Sequence, residues 1–215
     1  MPPASLHRRS PRRWAAYYRW TADRPPRELL LQTLNHVAWE APRTRRRNAI
    51  ELGFGAGTDT VELLRRGWKV LAVDAQAGAA RFLAQRVPSR YRGGLTTVVA
   101  SMEDLELPEA DLIYASFSLP FCPPASFPVL WARIRHAIRP GGHFAGQLFG
   151  DRDAWHGERS LSFHSRRELR ELARGFKIEL LRETEEDGMS FGGPKAWHFF
   201  DVILGKPPSA LHTKR

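Results

Sequence analysis

Three glycines at alternate positions, Gly53, Gly55 and Gly57, follow a short apolar run that ends in Glu51. Apolar residues with helical spacing come directly after them. Glycine permits positive φ and lets a ligand approach bare backbone, and the first turn of a helix offers N–H groups that lack intrahelical partners. This stretch therefore predicts a strand, a tight turn and a helix start that together bind an electron-rich ligand.

The spacing of these glycines excludes two common nucleotide sites. A dinucleotide fingerprint requires Gly-x-Gly-x-x-Gly, but the sixth position is Thr58 when counted from the first glycine and Thr60 when counted from the second. A Walker loop requires Gly-Lys followed by Ser or Thr, whereas the only Gly-Lys pair, at 205–206, is followed by proline. The turn therefore matches neither a nicotinamide dinucleotide site nor a nucleoside triphosphate site.

A second polar group, Asp74, follows the next predicted strand, residues 69–74. A doubly wound nucleotide site places a carboxylate at about this distance from its glycine turn, where it accepts hydrogen bonds from ribose hydroxyls. Aspartate is also a good N-cap, here for a helix predicted at 76–87. Because Asp74 ends an apolar strand in the same unit as the glycine turn, the ribose role is favoured.

The elements around these residues alternate between strands and helices from residue 48 onward, which is typical of a doubly wound α/β domain. Further strands are predicted at 96–100, 111–116 and 143–149, and helices at 125–138 and 166–174. The run Arg-Pro-Gly-Gly at 139–142 is predicted to stop the first of these helices. The last strands, 176–181 and 197–204, are joined by a link rich in glycine and proline that cannot carry a crossover helix. We therefore expect them to pair antiparallel.

The motif Glu51-x-Gly-x-Gly-x-Gly57, followed by Asp74, the Arg-Pro-Gly-Gly run and the final hairpin, resembles class I S-adenosylmethionine-dependent methyltransferases. The resemblance covers about residues 47–205. It implies a mostly parallel, seven-stranded, Rossmann-like sheet with a reversed last strand, S-adenosylmethionine as cofactor and S-adenosylhomocysteine as product. Within that class, Gly-Thr-Asp-Thr at 57–60 looks most like the tellurite-resistance-type and related small-molecule methyltransferases.

The resemblance also implies roles for residues along the predicted cofactor site. The glycines are expected to pass under the methionine part of the cofactor, and the turn after the third strand is expected to contact the adenine. Ser101 stands where the family commonly has Asp, so Glu103 is a substitute candidate. The residues expected to contact the cofactor are Glu51, Gly53, Phe54, Gly55, Gly57, Asp59, Thr60, Asp74, Ala75, Ser101, Met102, Glu103 and Ser116.

The loop after the fourth strand lies on the reaction side of the family. Adenine-modifying members carry Asn- or Asp-Pro-Pro-Tyr there, whereas this chain has Ser-Leu-Pro-Phe at 118–121, which disfavours that kind of base methylation. The wall of a largely apolar acceptor pocket is expected from Phe117, Leu119, Phe121, Phe149 and Trp155.

The aromatic cluster near the N-terminus consists of Trp14, Tyr17, Tyr18 and Trp20. We expect it to form a helix that either packs on the sheet or closes over the acceptor as a lid.

A sulfonium methyl group is already activated, so the protein need only hold a nucleophile in line with the S–CH₃ bond, and such positioning is worth ~7–11 kcal/mol. In agreement, the sequence shows no recognisable Ser/His/Asp array or metal-ligand pair, and Cys122 is expected to be a small buried apolar group. Where the acceptor must lose a proton, the candidate bases are Asp151, Asp153 and His164, and His156 is a further candidate. Each has a structural alternative, because the acids suit turn capping and His164 precedes a predicted helix N-cap, Ser165.

The net charge of +10 is concentrated at one end of the chain. Residues 1–47 hold eleven Lys/Arg against three Asp/Glu, whereas residues 48–215 hold twenty-two against twenty. We predict a basic, aromatic arm at 1–46, a cofactor-binding domain at 47–205 and a basic tail at 206–215. Within the arm, residues 1–13 are expected to be disordered and residues 27–39 helical. The arginines of 43–47 suit either a solvated connector or a phosphate-contacting patch.

Composition narrows the class of protein further. No apolar run approaches the ~20 residues of a membrane helix, the N-terminus is too polar for a signal peptide, and there is a single cysteine, so a cytoplasmic location is expected. The predicted function is methyl transfer to a small-molecule partner, with neither membrane nor nucleic acid as a favoured partner. Two alternatives remain open: an RNA methyltransferase that uses the basic arm, and a non-catalytic cofactor-binding module. The sequence does not specify the oligomeric state.

Overall fold

The computed structural model describes residues 11–36 and 47–208. Eight strands of this part of the chain form one sheet. The strands are β1 (Asn48–Leu52), β2 (Lys69–Asp74), β3 (Leu95–Val99), β4 (Ala110–Ala115), β5 (Ile138–Gly150), β6 (Phe163–His164), β7 (Lys177–Ser190) and β8 (Gly193–Gly205). The helices are α1 (Pro11–Thr21), α2 (Glu28–His36), α3 (Thr58–Arg65), α4 (Ala77–Arg86), α5 (Phe127–Ala137) and α6 (Arg166–Leu172).

The strand order is β3-β2-β1-β4-β5-β8-β7, and the two-residue strand β6 pairs with β5. β1 is parallel to both β2 and β4, and β4 is parallel to β5. β8 runs antiparallel to both β5 and β7. This confirms the predicted doubly wound, mostly parallel sheet with a reversed last strand; the short β6 is an addition to the seven expected strands.

Apolar side chains cover both faces of the sheet. β4 is buried along its whole length, as expected of a central parallel strand that reads as a continuous apolar run. One core layer lies between the sheet and α5, around Trp131, Ile134 and Phe144. The other includes Leu30 of α2 and Leu63 of α3. Because β1, β2 and β4 run parallel, their carboxyl ends meet at one edge of the sheet. A doubly wound fold binds its ligand at this edge.

The hairpin at the end of the chain is longer than the sequence predicts. Residues 183–195 were expected to be a loop because of their glycines and proline, but β7 and β8 pair continuously to Ser190↔Gly193. Cross-strand hydrogen bonds override the weak local propensity here. Pro194 is tolerated because β8 pairs with β5 from Phe199 onward, so that among the described residues one edge of β8 has no strand partner at Pro194.

Other element boundaries differ by smaller amounts. The predicted stop at 139–142 lies inside β5, after a helix that ends at Ala137, and is accompanied by a register shift against β4. Gly141 has a φ of 75°, so this turn is an irregularity within the strand. The strands expected at 96–100 and 111–116 begin and end one residue earlier. Ser165 forms the capping box expected of a helix N-cap, with Glu168 as its partner.

The arm is described only in part. Residues 11–13, which were expected to be disordered, form the first turn of α1, whereas the prediction for residues 1–10 lies outside the described residues. The helix expected at 27–39 is observed as α2, and residues 37–46 with most of the arginine run lie outside the description. Residues 209–215 of the predicted tail do so as well. In the described segments, no helix combines the length and the apolar character that crossing a membrane requires.

Candidate functional site

A cavity of about 900 Å³ opens at the carboxyl edge of β1, β2 and β4 and continues along the face of β5, β8 and β7. α1 and the start of α2 border it from the opposite side. This volume lies near the upper end of the ~300–1,000 Å³ that is usual for small-molecule sites. The cavity therefore has room for more than one small ligand.

The glycine turn forms one end of this cavity. Gly53, Gly55 and Gly57 all have positive φ, at 75°, 55° and 78°, which confirms the predicted tight turn between strand and helix. A Cβ atom on Gly53 would lie 2.4 Å from the Cβ of Ser118, so no side chain fits there. Gly53 and Gly55 border the cavity, and the turn therefore exposes backbone where the sequence predicts a ligand.

Asp74, at the end of β2, lies directly beside this turn. Its Oδ2 accepts a hydrogen bond from the N–H of Gly55 at 3.0 Å, and its Oδ1 accepts one from the N–H of Gln76 at 2.9 Å. The hydroxyl of Tyr18 donates to the same Oδ1 at 3.2 Å. Burial raises the pKa of Asp74, and these three donors oppose that rise. The carboxylate thus borders the cavity and supports the glycine turn at the same time.

The aromatic cluster of α1 packs on the domain and also borders the cavity. Tyr18 is 3% exposed and packs in the core, stacked on Trp14 with their ring centroids 6.0 Å apart. Tyr17 and Trp20 border the cavity, and both contact Phe191 at the tip of the β7–β8 hairpin, with centroid separations of 5.8 Å. α1 therefore forms part of the cavity wall, next to the hairpin tip, and its role as a lid stays a prediction.

Two arginines between α1 and α2 enter the cavity wall, and the sequence reasoning did not select them. Arg24 pairs with the fully buried Asp59 at 3.0 Å. Asp59 also accepts from the backbone N–H of Arg27 at 2.9 Å and from the hydroxyl of Tyr114 at 3.3 Å. Asp59 does not border the cavity, so its carboxylate anchors the arm to α3.

The guanidinium of Arg27 lies over the ring of Phe117, 5.0 Å from its centroid, and borders the cavity. Burial, with Arg24 nearby, lowers the pKa of Arg27. Among the cavity-lining cations of the described chain, Arg24 and Arg182 have carboxylate partners, whereas Arg27 has none. This arrangement provides a binding position for an anionic group of a ligand.

The remaining predicted cofactor residues divide into two groups. Phe54, Ala75, Ser101, Met102, Glu103 and Ser116 border the cavity. The Ser101 hydroxyl donates to Glu103, so the two residues proposed for the adenine side act on each other. Glu51, Gly57 and Thr60 are buried and do not border it. The Thr60 hydroxyl donates to Glu51, whose pKa is raised to about 8 by burial and by Asp59.

Aromatic rings line another part of the cavity, and they include four of the five residues predicted for the acceptor wall. Phe117, Phe121, Phe149 and Trp155 border it, joined by Trp197 and Phe199 of β8. Phe117 has a φ of 50°, unusual for a residue other than glycine, and its ring lies 5.1 Å from that of Phe199. Leu119 is fully buried instead, next to the fully buried Cys122, whose thiol has a pKa raised to about 12 by burial.

The sequence model of a methyltransferase domain family matches residues 49–142. This part of the chain is therefore similar to a methyltransferase domain. The magnesium-protoporphyrin O-methyltransferase of Rhodobacter capsulatus is 37% identical over 70 residues, which are 33% of this chain and 31% of that protein. The chain spans only 21% to 31% of the length of the curated relatives that it matches.

Solved structures confirm the predicted class I methyltransferase fold. The N-methyltransferase NodS from Bradyrhizobium japonicum, in complex with S-adenosyl-L-homocysteine, has a TM-score of 0.67 at 17% identity and covers 91% of this chain and 95% of that one. The 1,6-didemethyltoxoflavin-N1-methyltransferase of Burkholderia thailandensis has a TM-score of 0.61 at 22% identity, with 96% and 92% coverage. The narrower likeness to tellurite-resistance-type enzymes stays a prediction.

The three candidate bases do not border the cavity. Asp153 is fully buried and pairs with Lys195 at 2.8 Å. His164 packs against Phe127 with ring centroids 4.5 Å apart, and burial lowers its pKa to about 4. Asp151 lies beside Arg152 and the ring of His198. The lower-ranked His156 is exposed and lies against Phe163.

The cavity also contains polar residues that sequence reasoning missed. Gln147 of β5, Asp201 of β8 and Arg182 of β7 lie side by side across three strands. Period-two spacing along β5 and β8 could have revealed that Gln147 and Asp201 share the face of Phe149 and Phe199. Arg182 directly precedes residues 183–195, which were expected to be a loop. Local spacing therefore did not predict that it pairs with Asp201.

Proposed function

We propose that this chain transfers the methyl group of S-adenosylmethionine to a small-molecule acceptor inside the cavity. The observation that carries the proposal is the position of Asp74, which lies against the glycine turn with one oxygen on the Gly55 N–H and borders the cavity. A carboxylate at the end of the second strand of a doubly wound sheet is placed to bind ribose hydroxyls. The relatives that carry the methyltransferase fold support the same cofactor.

The residues around the turn suit the other parts of that cofactor. A carboxylate has about four acceptor positions, of which Gly55, Gln76 and Tyr18 use three. Binding of two ribose hydroxyls would therefore require Tyr18 to give up its hydrogen bond. Arg27 would bind the carboxylate of the methionine part, since it is the cavity cation that lacks an acidic partner in the described chain. Ala75, Met102 and Glu103 would border the adenine.

The acceptor would bind at the aromatic end of the cavity. Rings from Phe117, Phe149, Trp197 and Phe199 offer flat apolar surfaces there. Such surfaces favour a small, flat organic molecule over a polymer. The relative from Burkholderia thailandensis was solved with 1,6-didemethyltoxoflavin and S-adenosylhomocysteine bound, which is a small-molecule acceptor beside the demethylated cofactor.

When bound, S-adenosylmethionine supplies an activated methyl group, so the protein contributes position and exclusion of water. Asp74 and Arg27 would hold the two ends of the cofactor, while α1 and the hairpin tip cover the cavity mouth through Tyr17, Trp20 and Phe191. Positioning of this kind supplies about 7–11 kcal/mol. We assign no proton-transfer step to Asp151, Asp153 or His164, because none of them borders the cavity.

The same proposal includes a cytoplasmic location, a small-molecule partner rather than nucleic acid, and the division of the chain at residues 46 and 205. The near-neutral charge of residues 48–215 supports the choice of partner, because nucleic-acid binding depends on a basic surface. The single, buried Cys122 is compatible with a reducing compartment.

Calorimetric titration with S-adenosylhomocysteine tests the proposal. Asp74→Ala removes a charge-assisted contact worth about 1.5–3 kcal/mol, so we expect affinity to fall about 10- to 100-fold. Tyr18→Phe keeps the stacked ring but removes the competing donor, and it should bind at least as tightly as the wild type. Asp104→Ala, an exposed acid outside the cavity, is the matched control and should change nothing.

Two results would contradict this function: no affinity of the wild-type protein for S-adenosylhomocysteine, or an Asp74→Ala variant that binds it unchanged. A parallel titration with NAD should show no binding. Incubation of metabolite pools with isotopically labelled S-adenosylmethionine then identifies the acceptor by the mass of its methylated product.

A further inference from the structure

A row of three polar side chains crosses the floor of the cavity on neighbouring strands. The register places Gln147 opposite Asp201 and Asp201 opposite Arg182. The Gln147 Nε2 donates to the Asp201 Oδ1 at 2.9 Å. The Arg182 Nε and Nη2 atoms both donate to the Asp201 Oδ2, at 3.0 and 2.7 Å. All three residues border the cavity.

This row determines the orientation of the Gln147 carboxamide. Asp201 is paired with a guanidinium and can only accept hydrogen bonds, so a reversed carboxamide would bring two oxygens together. The amide nitrogen of Gln147 therefore stays on Asp201, and the amide oxygen is held at the opposite end of the group. Gln147 is 3% exposed, and its Oε1 has no hydrogen-bond partner within the described part of the chain.

A buried acceptor without a donor is costly, and nearly all such groups in folded proteins have a partner. The space next to this one is aromatic. Phe149 and Phe199, directly paired across β5 and β8, lie on the same face two residues further along each strand. Phe117 packs on Phe199 with ring centroids 5.1 Å apart. A ligand that satisfies Oε1 must therefore place its donor at the edge of a group that fits among these rings.

We propose that the Gln147 Oε1 accepts a hydrogen bond from an N–H or O–H group on a flat aromatic or heteroaromatic acceptor, and that this contact selects the methyl acceptor. The inference rests on the proposed function, because it names the substrate class of that same cavity. Gln147 is a specificity-determining residue in this scheme. Sites built to hydrogen-bond a substrate reject analogues that lack the donor, because the protein group is then left unpaired.

The test uses matched pairs of flat probes that differ only in the donor: 2-naphthol with 2-methoxynaphthalene, and 4-quinolone with 1-methyl-4-quinolone. Dissociation constants are measured for the full chain by fluorescence and calorimetry, with and without saturating S-adenosylhomocysteine. In the wild type, the donor member of at least one pair should bind about tenfold more tightly than its methyl-capped partner.

Gln147→Met keeps the length of the side chain and removes the acceptor, so the preference should fall to about twofold or less while affinity for S-adenosylhomocysteine is retained. Asp201→Asn is a second variant that leaves Gln147 in place. It releases the constraint on the carboxamide, which could then turn its N–H₂ group toward the ligand, and the donor preference should fall there as well.

Three results overturn the inference: no donor member binds the wild type, the wild type shows no preference within either pair, or the preference persists in both variants. Failure of the proposed function looks different. In that case S-adenosylhomocysteine does not bind, while the titrations without it still report whether Gln147 selects donors.

Discussion

Buried titratable residues in this chain serve different purposes, and their surroundings tell them apart. Glu51, the last residue but one of β1, accepts from Thr60 of α3, and burial and the nearby Asp59 raise its pKa. Burial thus favours the protonated form of Glu51, and its hydrogen bond with Thr60 joins the strand to the helix. Asp74 is also buried, but unlike Glu51 it borders the cavity, where its carboxylate can contact a ligand.

His164 allows a test of burial through pH. Its pKa is lowered to about 4 by burial, from an ordinary value of 6.5, so the unfolded chain binds the proton more readily than the native one. Stability is then complete above pH 6.5 and declines as pH falls toward 4, by up to about 3 kcal/mol. We expect His164→Phe, which keeps a ring against Phe127, to show a shallower decline over that window.

Urea unfolding followed by circular dichroism at pH 7, 6, 5 and 4 measures this difference. The two proteins are compared by the slope of unfolding free energy against pH, so that a constant offset from the substitution does not matter. Parallel slopes would mean that His164 already titrates normally in the folded protein.

Among the elements, α1 and the β7–β8 hairpin depend on each other. They are distant in sequence, yet Tyr17 and Trp20 of α1 contact Phe191 at the hairpin tip. These rings border the cavity, so the two elements form this part of its wall together. The length of the hairpin matters for this reason, because a loop over residues 183–195 would not hold Phe191 in that position.

Phe191→Ala should loosen α1. Each aromatic pair contributes about 0.5–1.5 kcal/mol, so loss of two pairs should increase opening of α1 about tenfold or more. Hydrogen exchange of the amides of residues 11–24, measured by mass spectrometry, reports this opening. Val129→Ala on α5, which truncates an exposed apolar side chain outside the cavity, is the control and should leave exchange of that segment unchanged. Equal exchange in all three proteins would show that the hairpin tip does not hold the helix.

At the scale of the whole molecule, the loop between β5 and β6 is joined to β8 by a buried ion pair. Lys195 and Asp153 are almost completely buried, with their charged atoms 2.8 Å apart. The ammonium lies 3.6 Å from the ring centroids of both Trp155 and Trp197 and 4.4 Å from that of Phe149. Burial lowers the pKa of Lys195 to about 8. This pair thus packs against three rings of the aromatic cavity wall.

Lys195→Met should cost about 3–5 kcal/mol of global stability, because it leaves Asp153 buried without its cation. Adding Asp153→Asn removes the stranded charge, and its amide oxygen can still accept from one of the two backbone donors, the N–H of Trp155 on Oδ1 or that of His198 on Oδ2. We therefore expect the double variant to recover at least half of the loss. Chemical unfolding measures all three proteins, and a single variant as stable as the wild type would show that the pair contributes little.

The sequence predicted the fold and the cofactor part of the site more completely than the acceptor part. The glycine turn, the acid that ends β2 and the antiparallel final hairpin were all predicted and are all observed. The candidate bases are observed elsewhere, since Asp153 is used in an ion pair and His164 in packing. Residue type alone indicates which reaction a side chain could take part in. It does not indicate whether that side chain is already paired with, or packed against, a neighbour.

The sequence by itself determined the class of fold and the cofactor turn, because both follow from short-range patterns: alternating strands and helices, and glycines where the backbone needs positive φ. Only the tertiary structure decided which distant residues share the cavity. Gln147 and Asp201 are 54 positions apart and meet because β8 reverses against β5, and Arg27 reaches the wall because Asp59 anchors the arm. Such contacts depend on strand register and long-range ion pairs, which no local spacing encodes.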